Sequence, residues 1–148
     1  MSGPAHPSGP AHPSGPRAAR STMGASGYRT TVRIGNHLVV ADEPADVGGS
    51  DTGPTPMELV AGALAGCISI TLRMVAQRKG WPLEGVEAEV AVVKETVEGA
   101  RPRDTFDVQV TLVGPLDDPM RAELTRIASR CPVHRALSHE TPVTTTVR

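Results

Sequence analysis

Aromatic residues are nearly missing from this 148-residue chain, which has one Trp (Trp81), one Tyr (Tyr28) and one Phe (Phe106). Its core therefore has to be aliphatic, filled by Val, Leu, Ile, Ala and Met. The same scarcity removes the stacking platforms that single-stranded nucleic acid needs. Charge of one sign is missing too: 15 Lys+Arg against 16 Asp+Glu leave a formal charge of −1, with no basic block or acidic tail. Nucleic-acid recognition wants a basic face, so no nucleic-acid partner is expected. No apolar run reaches the roughly 18 uncharged residues of a membrane span, so no membrane partner is expected either. The start lacks the basic-then-apolar order of a secretory signal. These absences point to a cytoplasmic protein with reduced thiols. Cysteine is scarce as well, with only Cys67 and Cys131, separated by 63 residues. Such a pair is no disulfide scaffold; it reads as redox chemistry or as two inert buried thiols.

What is present divides the chain unevenly. SGPAHP occurs twice in tandem from Ser2 to Pro13, and SGP follows at Ser14–Pro16. Gly, Pro and Ser at this density cannot bury enough apolar surface to offset the entropy of ordering, so residues 1–24 read as a disordered tail. His6 and His12 on such a tail make a poor metal site. Met23 is a candidate start, and one domain of ordinary size follows, residues 25–148.

Within that domain, YRTTVRI and HLVVA read as a hairpin around Gly35-Asn36. DEPADVGGSDTGPTP is a long Gly/Pro/Asp loop of the kind found at the edge of a site. A helix then starts with Thr55 as N-cap, Pro56 at the first position and Glu58 at the third, a capping box. It runs to about Arg78-Lys79 and stops at Gly80. Apolar on nearly every face until Arg73, it belongs in the middle of a structure. VEAEVAVVKETV and TFDVQVTLVG alternate as half-buried strands joined by a hairpin loop at Gly99–Arg103. Asp117-Asp118-Pro119 opens a second helix with Met120, Leu124, Ile127 and Ala128 on its buried face. CPVHRALS begins a third, short helix, and TPVTTTVR reads as a closing strand. The order β-β-α-β-β-α-α-β makes an α+β protein, antiparallel strands around a long central helix.

Reactivity follows the thiolate. Cys131 sits at the N-cap of its helix, where free backbone N–H groups and the helix dipole favour negative charge. Local physics thus names Cys131 the more acidic thiol. Cys67 lies about twelve residues into an apolar helix, where desolvation opposes ionisation. To act as a nucleophile it needs a cation brought by folding. Arg29, Arg33, Arg73 and His134 are the candidates.

GPTPMELVAGALAGC followed some sixty residues later by CPVH resembles the OsmC/Ohr family, the osmotically inducible protein C and organic hydroperoxide resistance proteins. The resemblance runs from about Tyr28 to Arg148, and HLVVADEP with PMEL is most similar to the OsmC-like branch. It implies two-cysteine reduction of organic hydroperoxides, with Cys67 attacking and Cys131 resolving through a Cys67–Cys131 disulfide. It also implies an intertwined homodimer and a dithiol reductant, of which the lipoyl type is one form. No metal or bound cofactor is implied. The family's thiolate-stabilising Arg, held by a Glu, maps loosely onto Arg33 and Glu58. In the peroxidase pattern that Glu directly follows the Pro, but here Met57 stands there and Glu58 comes one place later. One helical step turns a side chain by about 100°, so Glu58 reads first as a helix cap. That displacement supports an alternative of another class: a non-catalytic stress-associated protein using the thiol pocket for a small ligand or electrophile.

Overall fold

The computed structural model describes residues 17–147. The SGPAHP repeats, with His6 and His12, lie outside the described residues. The chain divides into two units, one ending at Gly53 and one beginning at Pro54.

The first unit is an antiparallel sheet of β1 (Ala19–Met23), β2 (Thr30–Ile34) and β3 (His37–Ala41), in that order. The expected hairpin is present: Ile34 pairs with His37 across Gly35-Asn36, and Gly35 takes the positive φ of 58° that the turn requires. Strand β1 differs from the expectation, because it lies inside the segment read as tail. Ala19–Met23 carries Arg, Ser and Thr on a fully exposed strand. Its apolar content gave no signal; the ladder to β2, from Ala19↔Ile34 to Met23↔Thr30, supplies the pairing instead.

The long loop after β3 is pinned by a buried carboxylate. Asp42 is 2% exposed. It accepts hydrogen bonds from the Glu43 N–H (2.8 Å), the Thr52 N–H (3.1 Å) and the Thr52 hydroxyl (2.7 Å). The Thr52 hydroxyl, chiefly, holds the Asp42 carboxyl below its ordinary range. Gly49 is needed for close approach: a Cβ there would fall 1.7 Å from the Glu43 carbonyl oxygen. The loop's glycines and aspartates therefore have a structural use.

In the second unit, α1 (Pro56–Lys79) follows the sequence signals closely. The Thr55 hydroxyl accepts from the Glu58 N–H (3.2 Å), and the Glu58 carboxylate accepts from the Thr55 N–H (2.7 Å). Gly80 closes the helix at φ 65°. β4 (Gly85–Glu95) and β5 (Arg103–Val113) form the expected hairpin, with Val86↔Leu112, Ala88↔Val110 and Val90↔Val108 opposite one another. This alternating face packs on the stripe Leu64, Ile68, Leu72, Val75 and Ala76 of α1, closing an aliphatic core. α2 (Asp118–Ala128) adds Leu124, which is 0% exposed, with Met120, Ile127 and Ala128 around it. Asp117 caps it by accepting from the Met120 N–H. α3 (Pro132–Ser138) follows.

Two expectations about this unit need correction. The closing strand is absent among the described residues: 139–147 are exposed and pair with no strand, with Val143 85% and Val147 91% exposed. β-propensity alone makes no strand without a partner edge. Nor is α1 buried all round. Gly62, Ala63, Gly66, Ile70 and Met74 are exposed, with Ile70 at 63% and Met74 at 56%. By length and composition α1 could cross a membrane, at mean hydropathy 1.9. Its Leu64–Ala76 stripe nonetheless packs as a core helix does.

Candidate functional site

The fold brings the two cysteines together. Cys67 projects from the middle of α1, and Cys131 caps α3, an element packed on α1. Cys67 packs against the core cluster that includes Cys131, close enough to act on that thiol electrostatically. Both are free thiols; Cys67 is partly exposed and Cys131 is buried. The N-cap geometry of Cys131 is as expected, its Sγ accepting from the His134 N–H at 3.3 Å.

The acidity expected of Cys131 is not found. Burial pushes its thiol above the ordinary value, and the neighbouring Cys67 pushes the same way. The His134 N–H opposes the rise without cancelling it. At 0% exposure the loss of hydration outweighs a cap on a helix of only seven residues. Local position gave the geometry correctly and the electrostatics wrongly.

The other candidates each have their own surroundings. Glu58 is committed to the capping box. Arg73 donates to the Leu83 carbonyl and, at 3.0 Å, to the Glu84 carbonyl, clamping the turn that leads into β4. Arg33 stands exposed on β2, opposite Arg20 and Leu38, and Arg29 is exposed just before that strand. His134 is half-buried, its Nδ1 3.2 Å from the Ser138 hydroxyl. Among the described residues no group of three or more His, Cys, Asp or Glu is placed to hold a metal.

Two cavities adjoin the thiol pair, and neither sulfur lines them. The first, about 300 Å³, has Ile68, Leu72 and Leu124 among its lining residues and is faced by β5 and α2. The second, about 390 Å³, lies between Leu64, Phe106 and Leu137, with Arg103 and Asp104 at its edge. His134 and Val108 line both. An apolar cavity thus begins one residue from Cys67, at Ile68. Sequence reasoning missed the dividing position of His134; its place three residues after the cap was the available signal. Arg121 was missed as well. It donates to the carbonyls of Leu112, Gly114 and Leu116, tying β5 to α2.

The site can be set beside known proteins. Residues 48–146 match the sequence profile of the family described as OsmC-like protein. No curated protein matches the sequence. A Psychrobacter arcticus structure named for osmotic stress induction and detoxification response superposes with a TM-score of 0.71 at 24% identity, covering 82% of this chain and 88% of that one. An OsmC like protein from Mycoplasma pneumoniae gives 0.71 at 16% identity, over 84% and 89%. An organic hydroperoxide resistance protein OsmC from Legionella pneumophila gives 0.65 at 21% identity, over 85% and 91%. At these identities the structures establish the shared fold. The profile spans more than half of the sequence, and on that ground the chain belongs to the OsmC-like protein family.

Proposed function

We propose that the chain reduces organic hydroperoxides through its two thiols. The observation that carries this reading is the packing of Cys67 against the buried cluster that holds Cys131, in a chain with no other cysteine. The Cys67 thiolate attacks the terminal oxygen of the hydroperoxide. The O–O bond breaks, the alkoxide leaves and takes a proton to become the alcohol, and Cys67 becomes a sulfenic acid. The Cys131 sulfur then attacks the Cys67 sulfur, a disulfide forms and water leaves. A dithiol, such as a lipoyl-type one, reduces the pair and is itself oxidised to a disulfide. The weakened acidity of Cys131 suits this order, because a protonated, buried thiol does not compete for the peroxide. Arg33, and Glu58 through its place near the helix start, are the residues proposed to assist Cys67. The name of the Legionella structure supports the same substrate class.

The active unit is a homodimer in this reading. Gly62, Gly66, Ile70 and Met74 follow one another around an exposed face of α1. A Cβ on Gly62 or Gly66 would meet nothing within 4 Å. Each glycine costs the helix about 1 kcal/mol relative to Ala, so close approach of a second copy accounts for both. The cytoplasm, with its reduced thiols, is the proposed compartment.

A second reading has one specific observation behind it. The Glu58 carboxylate is bonded to the Thr55 N–H, which favours a non-catalytic protein binding an electrophile or small ligand at the thiols. Cumene hydroperoxide consumption with a dithiol reductant separates the two. The peroxidase should turn over with Cys67 essential, and Cys131→Ser should accumulate a Cys67 sulfenic acid by mass spectrometry. A rate no better than that of free thiol would select the binding protein.

A further inference from the structure

One carboxylate stands where the β4–β5 hairpin pattern calls for an apolar residue. Along β5 the alternation puts Phe106, Val108, Val110 and Leu112 against the core. Asp104 falls on the same face, two residues before Phe106. The ladder to β4 repeats the pattern, with Val90↔Val108 and Val92↔Phe106 leading to Lys94↔Asp104. Asp104 thereby borders the cavity of about 390 Å³, whose apolar lining includes Leu64, Phe106, Val108 and Leu137.

This carboxylate is only partly used. Its Oδ1 is closed to solvent and accepts no hydrogen bond from the described residues. Lys94 Nζ stands 2.8 Å away, at an angle that gives an ion pair without a hydrogen bond. The Lys94 side chain is 77% exposed, so the pairing is weak and open to exchange. A buried anionic oxygen left in this state is costly, and what it lacks is a donor. Arg103 borders the same cavity without supplying one, because its Nε is spent on Glu95 at 2.6 Å. The Thr105 hydroxyl donates to the Val93 carbonyl (3.2 Å), which leaves its oxygen to accept. The edge of the cavity combines a negative charge with unfilled acceptors, and the wall behind it is apolar.

We infer that this cavity binds a primary alkylammonium ion, its head on the Asp104 carboxylate and its chain against Leu64, Phe106 and Leu137. The head must bring both charge and N–H donors, so a carboxylate and a quaternary ammonium are poor fits. A cavity of about 150 Å³ takes benzene, so one of about 390 Å³ admits roughly six to eight carbons beside the head. Lys94 is the resident competitor, released to solvent when the ligand arrives. The site rests on Asp104 and the cavity and not on the thiols, since neither sulfur lines it.

The test is titration of the reduced full chain with hexylammonium, hexyltrimethylammonium and hexanoate, read by calorimetry and amide NMR. Hexylammonium should bind saturably, shift the Phe106 amide, and bind at least tenfold more tightly than either of the others. Asp104→Asn, which keeps the shape and removes the charge, should weaken it at least tenfold. Lys94→Met keeps the apolar stem and removes the competitor, so it should tighten binding about threefold or more. Asp107→Asn makes the same charge change on the exposed face of β5 and should leave affinity within about twofold. The double variant Cys67→Ser, Cys131→Ser should bind as the parent does, which separates this site from any failure of the peroxidase reading. Absence of saturable hexylammonium binding to the parent in a well-dispersed spectrum overturns the site. Affinity for hexanoate equal to that for hexylammonium overturns the charge assignment, and equal affinity for the quaternary ion overturns the need for a donor. Tight binding that survives Asp104→Asn places the ligand elsewhere.

Discussion

Helices α1 and α3 open in the same way and end in opposite chemistry. Each has an extended cap residue followed by Pro, Thr55-Pro56 and Cys131-Pro132, and each cap side chain accepts from the N–H three residues on. At α1 the partner Glu58 reaches back, so the junction is closed by two reciprocal bonds on the surface. At α3 the third residue is His134, nothing reaches back, and the cap is a buried sulfur facing another sulfur. A local motif therefore fixes backbone geometry at both ends. It fixes chemistry only where solvent remains; at α3 the surroundings reverse the expected acidity.

The largest break in this symmetry is expected from removing the buried cap. Cys131→Ala loses the acceptor for the His134 N–H and leaves a small void, a combined cost of about 2 kcal/mol. Thr55→Ala at the exposed junction should cost about 1 kcal/mol. Urea unfolding of the reduced protein reads both. A larger loss at Thr55 than at Cys131 would show that burial adds nothing to the cap.

Smaller still is the expected effect of Glu58→Gln. Gln keeps the capping box, so stability should stay within about 0.5 kcal/mol of the parent. Hydroperoxide turnover should then stay within about twofold if capping is the whole role of Glu58. A tenfold drop in turnover at unchanged stability would instead place this carboxylate in the chemistry.

These expectations mirror what was legible in the sequence. Thr55, Glu58, Gly80 and Asp117 announced their helix ends because capping depends on neighbours within four residues. The strands β4 and β5 announced themselves by alternation, since Val86, Ala88 and Val90 face one side. Strand β1 was illegible: Ala19–Met23 is polar, exposed and held by its ladder to β2. The closing Thr/Val segment erred the other way, with propensity but no partner edge. At the site, the two cysteines stood out by scarcity, and the resemblance paired them. Nothing local to Arg73 or Arg121 revealed that each is spent on backbone carbonyls, a tertiary fact. The acidity of Cys131 was misread for the same reason, because burial is not written in the residues beside it.

The smallest effect, and the sharpest probe of that reversal, is the pH dependence of stability. Burial and Cys67 hold the Cys131 thiol above its ordinary value near 9.0. In the unfolded chain the thiol ionises first, so above that pH the native state binds more protons than the unfolded state. Stability then falls as pH rises. The contribution is intact below the unfolded value and is lost as pH climbs through the raised native one. Denaturant unfolding of the reduced protein between neutral pH and about pH 10 should show this decline, and Cys131→Ser should flatten it, because serine does not titrate there. Cys67→Ser should lessen the decline without abolishing it, since it removes the sulfur neighbour but leaves the burial. If the parent and Cys131→Ser decline in parallel, the cap has won over burial after all, and α3 resembles α1 in chemistry as well as in shape.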